Sequence, residues 1–198
     1  MPMIDPKDHP DLALLTFSMM TYHIQYLFDP RLYDSSKTIK KNFRCAKSKI
    51  HVAVLCAQFF DQTNLPGRDE STLTYEVTNV KSSSGYSAGP AMYYIALDLL
   101  GAIRPDRSIT SDRAKKIWDR LREDKRVYVD SRGTVYDNRT FSSIIDAEQY
   151  FDMNQWNKNF ARFIIQQSRS YGLSESVVID KIVDQIIDGF AVVQMDEV

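Results

Sequence analysis

Five consecutive residues, Gly85-Tyr86-Ser87-Ala88-Gly89, match the G-x-S-x-G pattern that places a serine nucleophile on a sharp turn between a strand and a helix. Such a serine attacks a carbonyl carbon only when a neighbouring base takes its proton, and in this fold the base is a histidine later in the chain. All three histidines come earlier: His9, His23 and His51. We therefore expect a glycine-flanked loop leading into a helix, and a serine hydrolase at Ser87 is only a distant alternative.

Cys45, His51 and Cys56 are of the residue types that bind zinc, but their predicted spacing does not suit a metal. A pattern of apolar residues predicts one long helix from Asp34 to about Phe60. On it the two cysteines would be about 16 Å apart, too far for a disulfide, and residues six apart would point about 120° away from each other. We therefore predict no metal, no cofactor and a reducing, cytoplasmic or otherwise intracellular compartment.

The strongest positive feature is a run of cations, without an interleaved acid, on the first half of that predicted helix. Its members share one face at about 100° per residue; they are Lys37, Lys40, Lys41, Arg44 and Lys47. Surfaces usually mix both signs, so this pattern favours contact with a polyanion: RNA, DNA, an acidic protein or a lipid surface. The alternative is a solvated face, or pairing with acids of the same chain.

A second basic group lies in residues 102–140, which hold eleven basic and seven acidic side chains. Its candidate contact residues are Arg113, Lys116, Arg120 and Arg132. A helix followed by a basic hairpin is the local order of a winged motif. One function hypothesis is therefore nucleic-acid binding through the basic helix 36–49 and a wing-like hairpin over 126–136.

Acidic residues dominate the last third of the chain, where residues 141–198 hold nine acids and four bases. The acids predicted to form a partner surface are Glu175, Asp180, Asp184 and Asp188. They would repel DNA, so the helix pair within 160–188 is predicted to be an αα-hairpin and no DNA-binding motif. Opposite charges at the two ends of one chain could complement each other between copies. The leading hypothesis is a non-enzymatic protein–protein interaction or self-assembly protein, acting as a homo-oligomer or with another protein.

Hydrophobic periodicity predicts an α+β fold that is predominantly helical, with about seven helices, a β-hairpin and one or two further short strands. The predicted helices cover 10–28, 34–60 and 90–100, begin near Ser108 or Thr110 and at Thr140, end at Gly172, and run from Ser174 to Gly189. Extended segments are predicted at 72–80, 126–136 and 190–193.

Length and composition indicate an ordinary folded protein. The 198 residues are 43% hydrophobic and 26% charged, which is enough to bury a sizeable core. No apolar run approaches the ~18 residues of a membrane span. We expect one globular domain over 1–198, or two packed lobes over 1–104 and 105–198.

Overall fold

The structure of the chain is a computed structural model. It describes residues 3–44, 49–64, 71–83, 85–106, 108, 110–141 and 150–195. Within these ranges the chain forms a mixed seven-stranded sheet together with helices. The expectation of a predominantly helical protein with about seven helices is therefore wrong: the fold is α+β with a substantial sheet.

The sheet follows the order β1-β2-β3-β4-β5-β7-β6. Its strands are β1 (Ala13–Met19), β2 (Tyr22–Phe28), β3 (His51–Asn64), β4 (Ser71–Ser82), β5 (Ala102–Pro105), β6 (Val127–Val129) and β7 (Val135–Asp137). The β3–β4, β5–β7 and β6–β7 pairs are antiparallel. The β4–β5 pair is parallel, as expected for strands connected through a crossover helix.

The helices are α1 (Ile39–Phe43), α2 (Gly89–Leu100), α3 (Asp112–Glu123), α4 (Asn138–Phe141), α5 (Asn154–Tyr171) and α6 (Glu175–Met195), with a 3-10 turn at Pro30–Leu32. Helix α2 connects the parallel strands β4 and β5. None of the helices in the described ranges combines the length and the hydrophobicity that a transmembrane helix needs.

The predicted helix over 10–28 is wrong, because this segment forms strands β1 and β2 joined by a tight turn. Met20 makes that turn with a φ of 53°, in the left-handed region. The residues from His23 to Phe28 are all buried, so the strand has core on both faces and its polar residues His23 and Gln25 lie in the interior. The alternation of polar and apolar residues in 15–19 and 22–26 is typical of strands, and the helix prediction overlooked it.

The predicted long helix from Asp34 to Phe60 is also wrong. Only the five residues of α1 are helical, and strand β3 begins at His51. The apolar character on all sides of 50–60, which we attributed to a helix entering the core, belongs to a strand rich in β-branched and aromatic residues. With the helix gone, the helical separation of Cys45 and Cys56 no longer applies.

Several local predictions are confirmed. The strand at 72–80 is β4, the hairpin at 126–136 is β6–β7, and Gly101 and Gly172 end α2 and α5 with left-handed φ values of 81° and 62°. The helix predicted after Ser108 or Thr110 is α3, whose N-cap is Ser111. The last helix does not stop at Gly189, so the strand expected at 190–193 is wrong. Most of the helix predicted after Thr140 lies outside the described residues.

The chain forms two compact units, each assembled from separate segments. Unit 1 comprises Met1–Asp5, Thr16–Tyr26 and Ala53–Asp152, and unit 2 comprises Pro6–Leu15, Leu27–Val52 and Met153–Val198. Unit 1 has a core centred on α2, in which every residue from Ala91 to Leu97 is buried. Unit 2 has an aromatic core in which the ring of Phe163 lies 5.3 Å from that of Phe28 and 6.3 Å from that of Phe43.

Candidate functional site

The basic surface, defined by Lys37, Lys40, Lys41 and Arg44, lies on and just before α1 in unit 2, and all four side chains are exposed. Lys37 is paired, because its Nζ lies 2.7 Å from Asp34 Oδ2. Hydrogen bonds from Lys37 and Ser36 lower the pKa of Asp34 to about 2. The other three cations have no ion pair within the residues that the structure describes. Lys47 lies outside those residues.

Local polar contacts and one aromatic anchor position α1. The side chain of Thr38 accepts a hydrogen bond from Lys41 N at 3.3 Å and caps the helix. Buried Asn42 donates from Nδ2 to Asp34 O at 2.9 Å and accepts from Asp34 N at 2.8 Å, which fixes the approach to the helix. Phe43 is buried in the aromatic core of unit 2. The helix is therefore held by one face, and its cations point to solvent.

The acidic surface, defined by Glu175, Asp180, Asp184 and Asp188, lies on α6 of the same unit. All four side chains are exposed, and none forms an ion pair in the described ranges. At 100° per residue, the three aspartates span about 80° and lie roughly opposite the buried residues of the helix. Those buried residues are Val178, Ile182 and Ile186. Helix α1 packs against α6, so unit 2 carries its basic and acidic surfaces on neighbouring helices.

The second basic group lies in unit 1. Arg113, Lys116 and Arg120 are exposed on α3, within about 60° of one another around the helix. Arg132 is at the hairpin tip as expected, but carboxylates surround it. Its Nε lies 3.7 Å from Asp130 Oδ2, and its Nη1 lies 3.9 Å from Asp61 Oδ2. The wing-like hairpin therefore presents less free positive charge than the sequence suggested.

Arg132 belongs to an Asp-x-Arg turn that recurs in this chain and was missed in the sequence. Four arginines donate their backbone N–H to the aspartate two residues earlier; they are Arg31, Arg126, Arg132 and Arg139. In the pair at Asp124 and Arg126, the guanidinium also donates from Nε at 3.1 Å and from Nη2 at 2.9 Å. These hydrogen bonds to the Asp124 carboxylate raise the pKa of Arg126. Arginines in such turns are locked locally and contribute little to an outward-facing field.

Ser87 occupies the turn between β4 and α2, where the G-x-S-x-G pattern places it. Its φ is 49°, an uncommon value for a residue that is not glycine. Strand β4 pairs with β5 only as far as Val77, which lies opposite Pro105, and β4 then continues to Ser82 before the turn that contains Ser87. No hydrogen bond joins the Ser87 hydroxyl to an imidazole among the described residues. The turn therefore has the backbone position of the motif, without an imidazole bonded to Ser87 among the described residues.

The cysteine and histidine residues do not assemble a metal site in the described ranges. Cys56 is a free thiol on β3, and burial raises its pKa to about 12, so the thiol is protonated at neutral pH. Cys45 lies outside the described residues. His51 is the first residue of β3.

His23 has an environment that the sequence did not indicate. It is 6% exposed in unit 1, and burial lowers its pKa to about 4. With the Gln25 amide oriented to satisfy its neighbours, Gln25 accepts from His23 Nε2 at 3.2 Å and donates to Met92 O at 3.1 Å. Ser18 Oγ lies 3.5 Å from the other ring nitrogen. The contacts fit a neutral ring that connects β2 to α2, which is a structural role.

A pocket of about 470 Å³ opens on the surface of unit 2, and sequence reasoning missed it. Its lining includes Arg31, Tyr33, Arg162, Phe163 and Gln167. Gln167 is only 6% exposed and follows Phe163 by one turn on the buried face of α5. A glutamine in an otherwise apolar helical stripe is the sequence feature that could have revealed this pocket, because a buried carboxamide needs partners.

Comparison with models of known protein families and with curated proteins gives no match for this chain. Its function is therefore argued from the residues themselves.

Proposed function

We propose that the protein acts by binding, as a non-enzymatic interaction or self-assembly protein, through the basic and acidic surfaces of unit 2. The observation that carries this proposal is the absence of ion pairs, within the described residues, at Lys40, Lys41 and Arg44 and at all four acids of α6. Charges held on a rigid helix face and left unpaired are available to a partner of opposite sign. The free thiol of Cys56 supports a reducing, intracellular location.

The strength of such contacts sets the expected affinity. An exposed ion pair contributes about 0.2–1 kcal/mol, so three pairs contribute roughly 1–3 kcal/mol. A dissociation constant of 1 mM corresponds to about 4 kcal/mol, so charge pairs alone give weak association. We therefore expect head-to-tail self-association only at high protein concentration and low salt. A heterologous partner with a denser opposite charge would bind more tightly.

Sedimentation velocity at low and high salt tests this proposal. We expect the weight-average mass to rise with protein concentration at low salt and to fall back to the monomer at high salt, because exposed pairs are screened. The double variant K41E/R44E should be monomeric throughout. K158E/R169E is a matched control, since it reverses two exposed cations on α5 of the same unit. A wild-type chain that stays monomeric at every concentration contradicts self-association.

Nucleic-acid binding through the basic surface is the second candidate, favoured by the three unpaired cations of that surface. Three neutralised phosphates would give a log–log salt slope of about −2.7 on B-DNA. The acidic surface on the neighbouring helix α6 opposes this candidate, because it repels the same polyanion. A gel-shift experiment with duplex DNA and single-stranded RNA at low salt distinguishes the two: a shift that K41E/R44E abolishes supports nucleic-acid binding, and no shift with either probe eliminates it.

A further inference from the structure

The pocket of unit 2 is a separate feature from the charged surfaces, and half of its polar side chains are already engaged. Arg31 donates to Asp29 from Nε at 2.9 Å and from Nη2 at 2.8 Å, and to Asp11 from Nη1 at 2.8 Å. Asn159 Nδ2 donates to two backbone carbonyls, at 2.6 Å and 2.8 Å. These groups build the wall of the pocket and are not free to bind a ligand.

Four polar lining side chains remain without a partner in the described residues, namely Ser35, Arg162, Gln166 and Gln167; of these, Gln167 is the buried one and Arg162 carries the charge. Gln167 is 6% exposed as a residue, and its carboxamide has no hydrogen-bond partner among the described residues. Solvent reaches this carboxamide, and it does so from the pocket that Gln167 lines. Arg162, one turn from Gln166 on the same helix, also has no ion pair within the described ranges. A buried donor–acceptor pair and a free guanidinium therefore face one cavity.

The unpaired guanidinium of the lining restricts the ligand. Arg31 is engaged by the carboxylates of Asp29 and Asp11, so Arg162 is the lining cation that remains without an ion pair in the described residues. A guanidinium matches one carboxylate with two parallel hydrogen bonds. A carboxamide offers both an N–H and a C=O, which pair with another amide group. The aromatic ring of Phe163, which also lines the pocket, can contact the carbon chain between those two groups.

We propose that this pocket binds a small mono-anionic molecule that carries a carboxylate and a carboxamide, with Arg162 holding the carboxylate and Gln167 pairing with the amide. A volume of about 470 Å³ lies within the usual range for small-molecule sites. The site does not depend on the charged surfaces of α1 and α6. It could operate whether or not the protein self-associates.

Titration calorimetry of the full chain with succinamate tests the proposal, because this probe has a carboxylate at one end and a carboxamide at the other. Succinamide, which lacks the charge, and succinate, which lacks the amide, are the matched ligand controls. We expect saturable succinamate binding at millimolar concentration or below, and affinities about tenfold weaker for each control, as for the loss of one good hydrogen-bonding group. Absence of saturable succinamate binding overturns the proposal.

Variants assign the binding to the pocket. Gln167→Met keeps the side-chain length and removes the amide, and Arg162→Gln removes the charge; each should weaken succinamate binding about tenfold. Arg169→Gln removes an exposed cation of α5 outside the pocket lining and should leave the affinity unchanged. Because Gln167 is buried, side-chain amide NMR signals of the wild-type chain give a second measurement: the Gln167 NH₂ resonance should shift on addition of succinamate. Binding that neither variant weakens, or that leaves this resonance unmoved, contradicts the proposal.

Discussion

Acidification should destabilise unit 1 in part through one buried residue, His23. In the folded chain its ring is buried and neutral, with Nε2 directed at Gln25 and the other nitrogen beside Ser18. Burial lowers its pKa from 6.5 to about 4. A protonated ring would lose solvation at this position, and no carboxylate in the described residues is recorded as pairing with it.

The magnitude follows from this difference in pKa. An unfolded chain takes up the proton near pH 6.5, whereas the folded chain resists until about pH 4, so unfolding binds a proton in that window. Stability is unaffected above pH 6.5 and falls as the pH drops towards 4. At about 1.4 kcal/mol per pKa unit, the full loss is roughly 3 kcal/mol. This is a substantial part of the stability of a typical domain.

Urea unfolding followed by circular dichroism, at several pH values between about 7 and 4.5, measures this loss. The His23→Gln variant cannot take up the proton, so its stability should decline less steeply than that of the wild-type chain over this window. The Ser18→Ala variant keeps the imidazole and removes the nearby hydroxyl, and it should retain the steep decline. Equal slopes for the wild-type chain and His23→Gln would refute the reasoning.

Four further substitutions have definite expected results in thermal or urea unfolding. Gly172→Ala places a Cβ on a residue with a φ of 62° and open space around it, and it should lower the free energy of unfolding by about 1–2 kcal/mol. Gly189→Ala, inside α6 and also in open space, should raise it by up to about 1 kcal/mol. Effects of the same sign at the two positions would contradict the backbone argument. Trp156→Phe removes the 2.8 Å hydrogen bond to His9 O in a fully buried site and should cost about 1–3 kcal/mol; an unchanged midpoint would contradict it. Ser87→Gly relieves a left-handed φ of 49° and should not destabilise the protein; a loss of stability would show that the serine side chain is needed there.

The sequence predicted the elements whose ends are marked by local chemistry. Gly101 and Gly172 supply left-handed helix ends, and the turn residues before Gly133 supply the hairpin, because these conformations depend on a few adjacent residues. Gly189 is the exception. It resembles a stop signal, but Val178, Ile182 and Ile186 anchor α6 in the core of unit 2, and the helix continues past the glycine.

The central strands could not be predicted in the same way. Strand β2 is buried on both faces, and β3 carries apolar residues on both faces from Val52 to Ala57 although mainly one face is buried, so a run such as 50–60 satisfies helical spacing equally well. What distinguishes them is their pairing with other strands, which is a contact between residues distant in sequence. The error changed the fold class from predominantly helical to sheet-rich.

The charged residues were easier to place than to interpret. Lys40, Lys41 and Arg44 are exposed although the helix proposed for them does not exist, because short polar segments remain at the surface in either structure. Arg132, by contrast, is engaged by Asp130, and the Asp-x-Arg spacing that predicts this contact is visible in the sequence. Tertiary packing places Gln167 in the wall of an open pocket, and the neighbouring sequence gives only a weak indication of this position.

Mixing two charge-reversed variants tests the central claim most directly. K41E/R44E takes the formal charge of the basic surface from +4 to zero, and D180K/D184K takes that of the acidic surface from −4 to zero, so each variant alone should sediment as a monomer at low salt. An equimolar mixture should form a heterodimer, because the acidic surface of K41E/R44E then meets the unaltered basic surface of D180K/D184K. A mixture that stays monomeric under conditions where the wild-type chain associates would contradict the account.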